Sequence, residues 1–192
     1  MIPRPALSAV LMLAATLAGC KPPPSDAAVA RVSLLAPTSG PSEPLPSPDT
    51  TGAVWAGAGT PLRLVYGVPG KPVMIALECL APGKPEARIK ITRHAPADEG
   101  ASALLALIGN GWIGRFPVDA VQIGPQRLWQ GEVPATMPQW EALKPAREAT
   151  VTVPGAGLVR LNPSPLPMAL VSACRGSGQE TAGAPVAPAD QA

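Results

Sequence analysis

Ser102 to Val118 reads SALLALIGNGWIGRFPV. Asn110-Gly111 sits between two apolar runs. A two-residue hairpin turn of type I′ needs positive φ at both central residues, and Asn-Gly is the pair that accepts it most readily. The stretch therefore predicts a hairpin with strands at 102–109 and 112–118. The same residues contain Gly109-Asn110-Gly111-Trp112-Ile113-Gly114, a match to G-x-G-x-x-G, with Glu132 further on. A dinucleotide site needs a helix to open after those glycines, so that its N-terminus meets the pyrophosphate. Trp112, Ile113, Phe116, Pro117 and Val118 follow instead, which is strand material. The glycines are read as a hairpin, and nucleotide binding is set aside.

Outward from the hairpin, the pattern is mostly period two. In PVMIALECL, Val73, Ile75, Leu77 and Cys79 share a face. In EARIKITRH, Ala87, Ile89 and Ile91 face one way and Arg88, Lys90, Thr92 and His94 the other. Leu62, Leu64 and Tyr66 alternate, as do Val151 and Val153 against Thr150 and Thr152, and GLVRL adds a short strand near the end. Such alternation marks half-buried strands. PGK and APGK punctuate the runs as turns. Many short strands at close spacing predict a mainly β domain, an antiparallel β-sandwich or barrel, over residues 52–175.

Two short helices are expected. In the first, Thr136 caps MPQWEALK, Pro138 takes the first turn, Gln139 completes a capping box and Pro145 ends it. In the second, SPLPMALVSACRG, Ser164 caps and Pro165 opens the C-terminal helix. Leu166, Ala169, Leu170, Ala173 and Cys174 recur at helical spacing and form its apolar face.

The chain begins MIPRPALSAVLMLAATLAG, with one positive charge, Arg4, before an apolar run from Ala6 to Ala18. That run is shorter than the roughly 20 residues a membrane span needs, and its parts are those of a secretory signal peptide, residues 1–19. Leu17-Ala18-Gly19-Cys20 resembles the lipobox of bacterial lipoproteins. The resemblance implies diacylglycerol on the Cys20 sulfur, cleavage before Cys20 and acylation of the new amino group. The alternative is an ordinary signal with a chance cysteine. Lys21 stands where an aspartate would retain the product in the inner membrane, which implies the outer membrane, lipid-anchored and facing the periplasm. Prolines at 22, 23, 24, 37, 41, 44, 46 and 48 make residues 20–51 a tether of polyproline or disordered character, with a short apolar patch at 29–36. Residues 176–192 read as a second flexible tail.

Cys79 and Cys174 remain. Two cysteines in an exported protein read as one disulfide. Each is placed inward by its own periodicity, one on a strand and one on the last helix. The alternative is two buried thiols. In outline this order of tether, β domain and closing helix resembles proteobacterial envelope lipoproteins and small periplasmic accessory domains of secretion systems.

The chemistry is sparse. The formal net charge is +2 among 192 residues, with no clustered Lys and Arg, so nucleic acid is not an expected partner. His94 is the only histidine. It precedes APADEG, where Asp98 and Glu99 come within reach, but a triad needs a nucleophile as well, and the bland reading is an exposed histidine before a turn. No G-x-S-x-G, S-x-x-K or H-E-x-x-H occurs. One histidine disfavours zinc, and no carboxylate pair stands out for glycosidase work. No catalytic residue, metal or cofactor is expected. Trp112, Trp129 and Trp140 are either core or a binding surface for protein or glycan, where tryptophan is favoured. The expected function is a non-enzymatic envelope module that binds protein or peptidoglycan and touches the membrane through Cys20. A carrier of a lipid or small ligand and a hydrolase of envelope material are the other readings.

Overall fold

The computed structural model describes residues 41–176. The signal segment, Cys20, the tether up to residue 40 and the tail from 177 lie outside the described residues. Strands β1 (Val54–Gly57), β2 (Arg63–Gly67), β3 (Ile75–Leu80), β4 (Arg88–Pro96), β5 (Ser102–Gly109), β6 (Trp112–Ile123), β7 (Gln126–Pro134), β8 (Ala149–Thr152) and β9 (Leu158–Leu161) precede helix α1 (Leu166–Cys174). A 3₁₀ helix, Pro138–Leu143, lies between β7 and β8. The strands form one antiparallel sheet in the order β1-β2-β3-β4-β7-β6-β5-β8-β9, which curls into a nearly closed barrel.

The period-two faces point inward. Ile75, Leu77, Ile89, Ile91, Leu105, Leu107, Phe116, Val118 and Val151 are all essentially buried. Side chains rather than a backbone ladder tie the two ends of the sheet. The buried Tyr66 hydroxyl on β2 donates to Arg160 O on β9 at 2.9 Å and accepts the Asn162 N–H at 3.0 Å. Asn162 Nδ2 donates to Ala53 O at 2.7 Å. Tyr66→Phe removes the hydroxyl from both bonds at once. The expected cost is about 1–3 kcal/mol, the usual penalty for stranding polar groups, read as a lower urea midpoint with an unchanged m-value. An unchanged midpoint would mean that the hydroxyl does not hold the seam.

The β5–β6 hairpin pairs Gly109 with Trp112, with Asn110 at φ 50° and Gly111 at φ 81°. Its turn is braced by the β7–β8 connection, because Asn110 Nδ2 donates to Ala142 O at 2.9 Å and to Lys144 O at 2.7 Å. The approach is close enough to require glycine beside the turn: a Cβ on Gly109 would stand 2.6 Å from Ala142 O. Pro117, which has no N–H to give, lies just beyond the last β6–β7 pair, Asp119↔Gln130.

Both helices differ in detail from expectation. The first is six residues of 3₁₀ helix, and no side chain caps it, so Thr136 does not serve as its cap. Burial of Trp140 fixes this segment instead. Its indole packs on Phe116 with ring centroids 4.6 Å apart and donates to Pro134 O at 3.0 Å. In α1 the buried face is Pro167, Leu170, Val171 and Cys174, while Leu166 is exposed. The stripe keeps the predicted spacing but is rotated by one position. Pro165 rather than Ser164 holds the N-cap position and no side chain caps there, although Ser164 Oγ, one residue earlier, accepts the Leu166 N–H at 3.3 Å. The helix packs against β1 to β4 and the 3₁₀ helix. Cys79 and Cys174 form a disulfide, with Cα atoms 5.6 Å apart.

Residues 41–51, which composition assigns to the tether, lie against the domain. Leu45 N donates to Gly155 O at 2.8 Å, Ser47 Oγ accepts the Leu158 N–H at 2.9 Å, and Ser42 bonds the Asp98 carboxylate. Proline content reports how little apolar surface a segment can bury. It does not report whether its remaining backbone and hydroxyl groups find partners.

Candidate functional site

Two surfaces stand out. The first is the outer face of the β5–β6 hairpin. Leu105 and Leu107 point inward, so Leu104, Ala106 and Ile108 point out. On β6, Ile113, Arg115 and Pro117 point out and pair with Ile108, Ala106 and Leu104. Leu104 and Ile113 are each more than half exposed, at 53% and 54%, Ile108 is 44% exposed and Trp112, beside the turn, 39%. Single exposed apolar residues are ordinary on a protein surface, but a contiguous group marks an interaction site. Arg115 lies between the two apolar pairs, and Arg147 reaches the turn through its carbonyl, which accepts from Asn110 Nδ2 at 3.4 Å. Among the described residues neither arginine has a carboxylate partner.

Of the three tryptophans proposed for a binding surface, only Trp112 is on one. Trp129 is 7% exposed and Trp140 is fully buried. Both are core residues, and the reason is local. Trp140 is the bulk that pins the 3₁₀ helix under the hairpin, and Trp129 sits on β7 directly across from Arg93 of β4.

The second surface is the barrel end around the last residues of β4. Arg93 follows Ile89 and Ile91 in strand parity and so points inward, where it is only 5% exposed. Its Nη2 donates to Ala156 O at 2.8 Å, and its Nη1 to Met74 O at 3.2 Å and His94 O at 3.3 Å. Burial pulls its pKa downward. No carboxylate balances it among the described residues. The β4–β7 register then slips between Arg93 and Pro96, so His94 and Ala95 bulge out of the ladder. Three buried nitrogens collect here without a partner: Arg93 Nε, His94 Nε2 and Trp129 Nε1.

Beside this bulge run two grooves, of about 390 and 310 Å³, that share Pro72, Val73, His94 and Pro96. The larger is walled by Leu45, Pro46, Met74 and Ala156 and carries Lys71 and Arg93; the smaller carries Arg127. No Asp or Glu lines either groove. His94 is half-buried rather than exposed. Burial first, then Arg63 and Arg93 nearby, push its imidazole below the ordinary histidine pKa. Asp98 and Glu99 do not engage it: Asp98 binds Ser42, and Glu99 lies 3.6 Å from Arg127.

The sequence reading missed Arg93. The signal was present, since a cation falls in phase with Ile89 and Ile91. The outward Leu104 and Ile108 were also legible, because an unbroken apolar run in a strand puts apolar residues on both faces. Among the described residues no group of three or more His, Cys, Asp or Glu is placed to hold a metal ion. Comparison with protein-family models, with curated proteins and with solved structures finds no match.

Proposed function

We propose that this chain is a non-enzymatic module of the bacterial envelope, anchored by lipid at Cys20 on the outer membrane and facing the periplasm. It docks a protein partner through the outer face of the β5–β6 hairpin. The observation that carries this reading is the set of exposed apolar residues Leu104, Ile108 and Ile113 on one face, with Trp112 exposed beside the turn, on a hairpin braced from behind. An apolar surface with Arg115 between its two apolar pairs and Arg147 near the turn suits a partner patch that is apolar and carries acidic groups among its apolar ones. The lipobox resemblance supports the anchor, and the Cys79–Cys174 bond suits an oxidising compartment.

The test uses the full chain in its own envelope, with a photocrosslinking residue at Ile113 and, as control, at Lys84. The expected result is one discrete protein adduct from position 113, absent from position 84, and reduced at least tenfold when Ile108→Lys is added. Equal adducts from both positions, or indifference to Ile108→Lys, would overturn the reading.

A further inference from the structure

The barrel end calls for a ligand of different chemistry from the hairpin face. An arginine held out of water with only carbonyl dipoles around it carries a desolvation cost that a counter-charge would offset. Among the described residues Arg93 has no such counter-charge. Its neighbours repeat the same demand. Arg93 Nε and His94 Nε2, on consecutive residues that both line the larger groove, are nitrogens buried without a partner, and Trp129 Nε1, buried likewise, lies across the β4–β7 ladder from Arg93. They share one end of the barrel with grooves whose walls are proline, valine, methionine and alanine, and whose ionisable side chains are Lys71, Arg93, His94 and Arg127. Their volumes are those of small-molecule sites.

We propose that the bulged end of β4 binds a small apolar molecule carrying one anionic head, a carboxylate being the simplest. The head lies at the rim formed by Arg93, His94 and Lys71. The tail runs along Pro72, Val73 and Pro96, where the two grooves meet. A polyanion would not suit the site, because its cations are few and its walls are apolar. The bulge is what makes the site possible: a continued β4–β7 ladder would pair His94 and Ala95 and close the approach.

The test compares octanoate, octanol and octylammonium, three ligands with one tail and different heads, by titration into the ¹⁵N-labelled full chain. The Trp129 indole Nε1–H and the Arg93 Nε–H are the reporters. The expected result is saturable one-site shifts at both with octanoate, at least tenfold weaker binding of octanol, and none with octylammonium. Val73→Asp, which places a carboxylate at the shared wall, is expected to abolish octanoate binding without changing the melting temperature by more than a few degrees. Arg93→Met is expected to remove the preference for octanoate over octanol; if that variant does not fold, Val73→Asp still decides. Equal binding of octanoate and octanol, shifts confined to the hairpin residues Leu104 and Ile113, or undiminished binding to Val73→Asp would overturn the proposal. None of these outcomes depends on the hairpin's partner.

Discussion

The double substitution of Cys79 and Cys174 by alanine is expected to lower the domain's stability by about 4–5 kcal/mol. The bond closes a sequence separation of 95 residues, and a loop of that size restricts the unfolded chain strongly in the entropic account. For a domain of this length the loss corresponds to a fall of roughly 10–20 °C in Tm. The native state also depends on the bond locally. Helix α1 has only nine residues, too few to be stable alone, and is fastened by Pro167, Leu170, Val171 and the disulfide. Arg175 adds a second tie, donating from Nε to Ala135 O at 2.7 Å. Calorimetry with and without reductant measures the first effect, and hydrogen exchange in α1 measures the second. A Tm change below about 3 °C would mean that native packing and residual order in the unfolded chain already do what the bond was credited with.

Local β structure was open to reading because it is written in local pattern. Asn110-Gly111 names its turn, and the alternations through Ile75, Ile89 and Val151 name their inward faces. Sheet order was not legible. That β7 rather than β5 lies beside β4 follows from packing between segments far apart in sequence, and no spacing encodes it. The same holds for the seam. Tyr66 looked like one more alternating residue, and only the folded barrel brings its hydroxyl to Arg160 and Asn162, more than ninety positions away. The helix ends failed for another reason. Thr136 and Gln139 form a good local cap, but burial of Trp140 outweighs it, since a cap contributes about 1 kcal/mol and a buried tryptophan several.

The candidate sites were half legible. Tryptophan was sought on the surface because it is favoured at interfaces, yet the same bulk makes it good core material, and only its phase relative to other residues can decide. Trp112 shows the limit of even that test. Its parity matches the buried Gly114 and Phe116, but it adjoins the turn and is 39% exposed. Of the barrel-end site the strand pattern carried only Arg93, in phase with Ile89 and Ile91; the slip between Arg93 and Pro96 breaks the periodicity beyond it, so the departure of His94 and Ala95 from the ladder could not be read.

Trp140→Ala is expected to be the most damaging single core substitution, at about 3–5 kcal/mol. The side chain is fully buried, packs on Phe116 and donates its indole N–H to Pro134 O at 3.0 Å. Trp140→Phe keeps a ring against Phe116, and Pro134 O still accepts the Met137 N–H at 3.1 Å, so only the one hydrogen bond is lost and about 1 kcal/mol is expected. The consequence reaches the hairpin. Trp140 anchors the connection whose Ala142 and Lys144 carbonyls hold Asn110, so its loss frees the turn that presents Trp112 and Ile113. Amide exchange at Gly111 and Trp112 should therefore quicken in Trp140→Ala well below its melting temperature, and the adduct formed from position 113 should weaken in step. If exchange quickens while the adduct persists, the hairpin face binds without being pre-organised, and the brace serves stability alone. If both change together, one buried indole links the core to the docking surface.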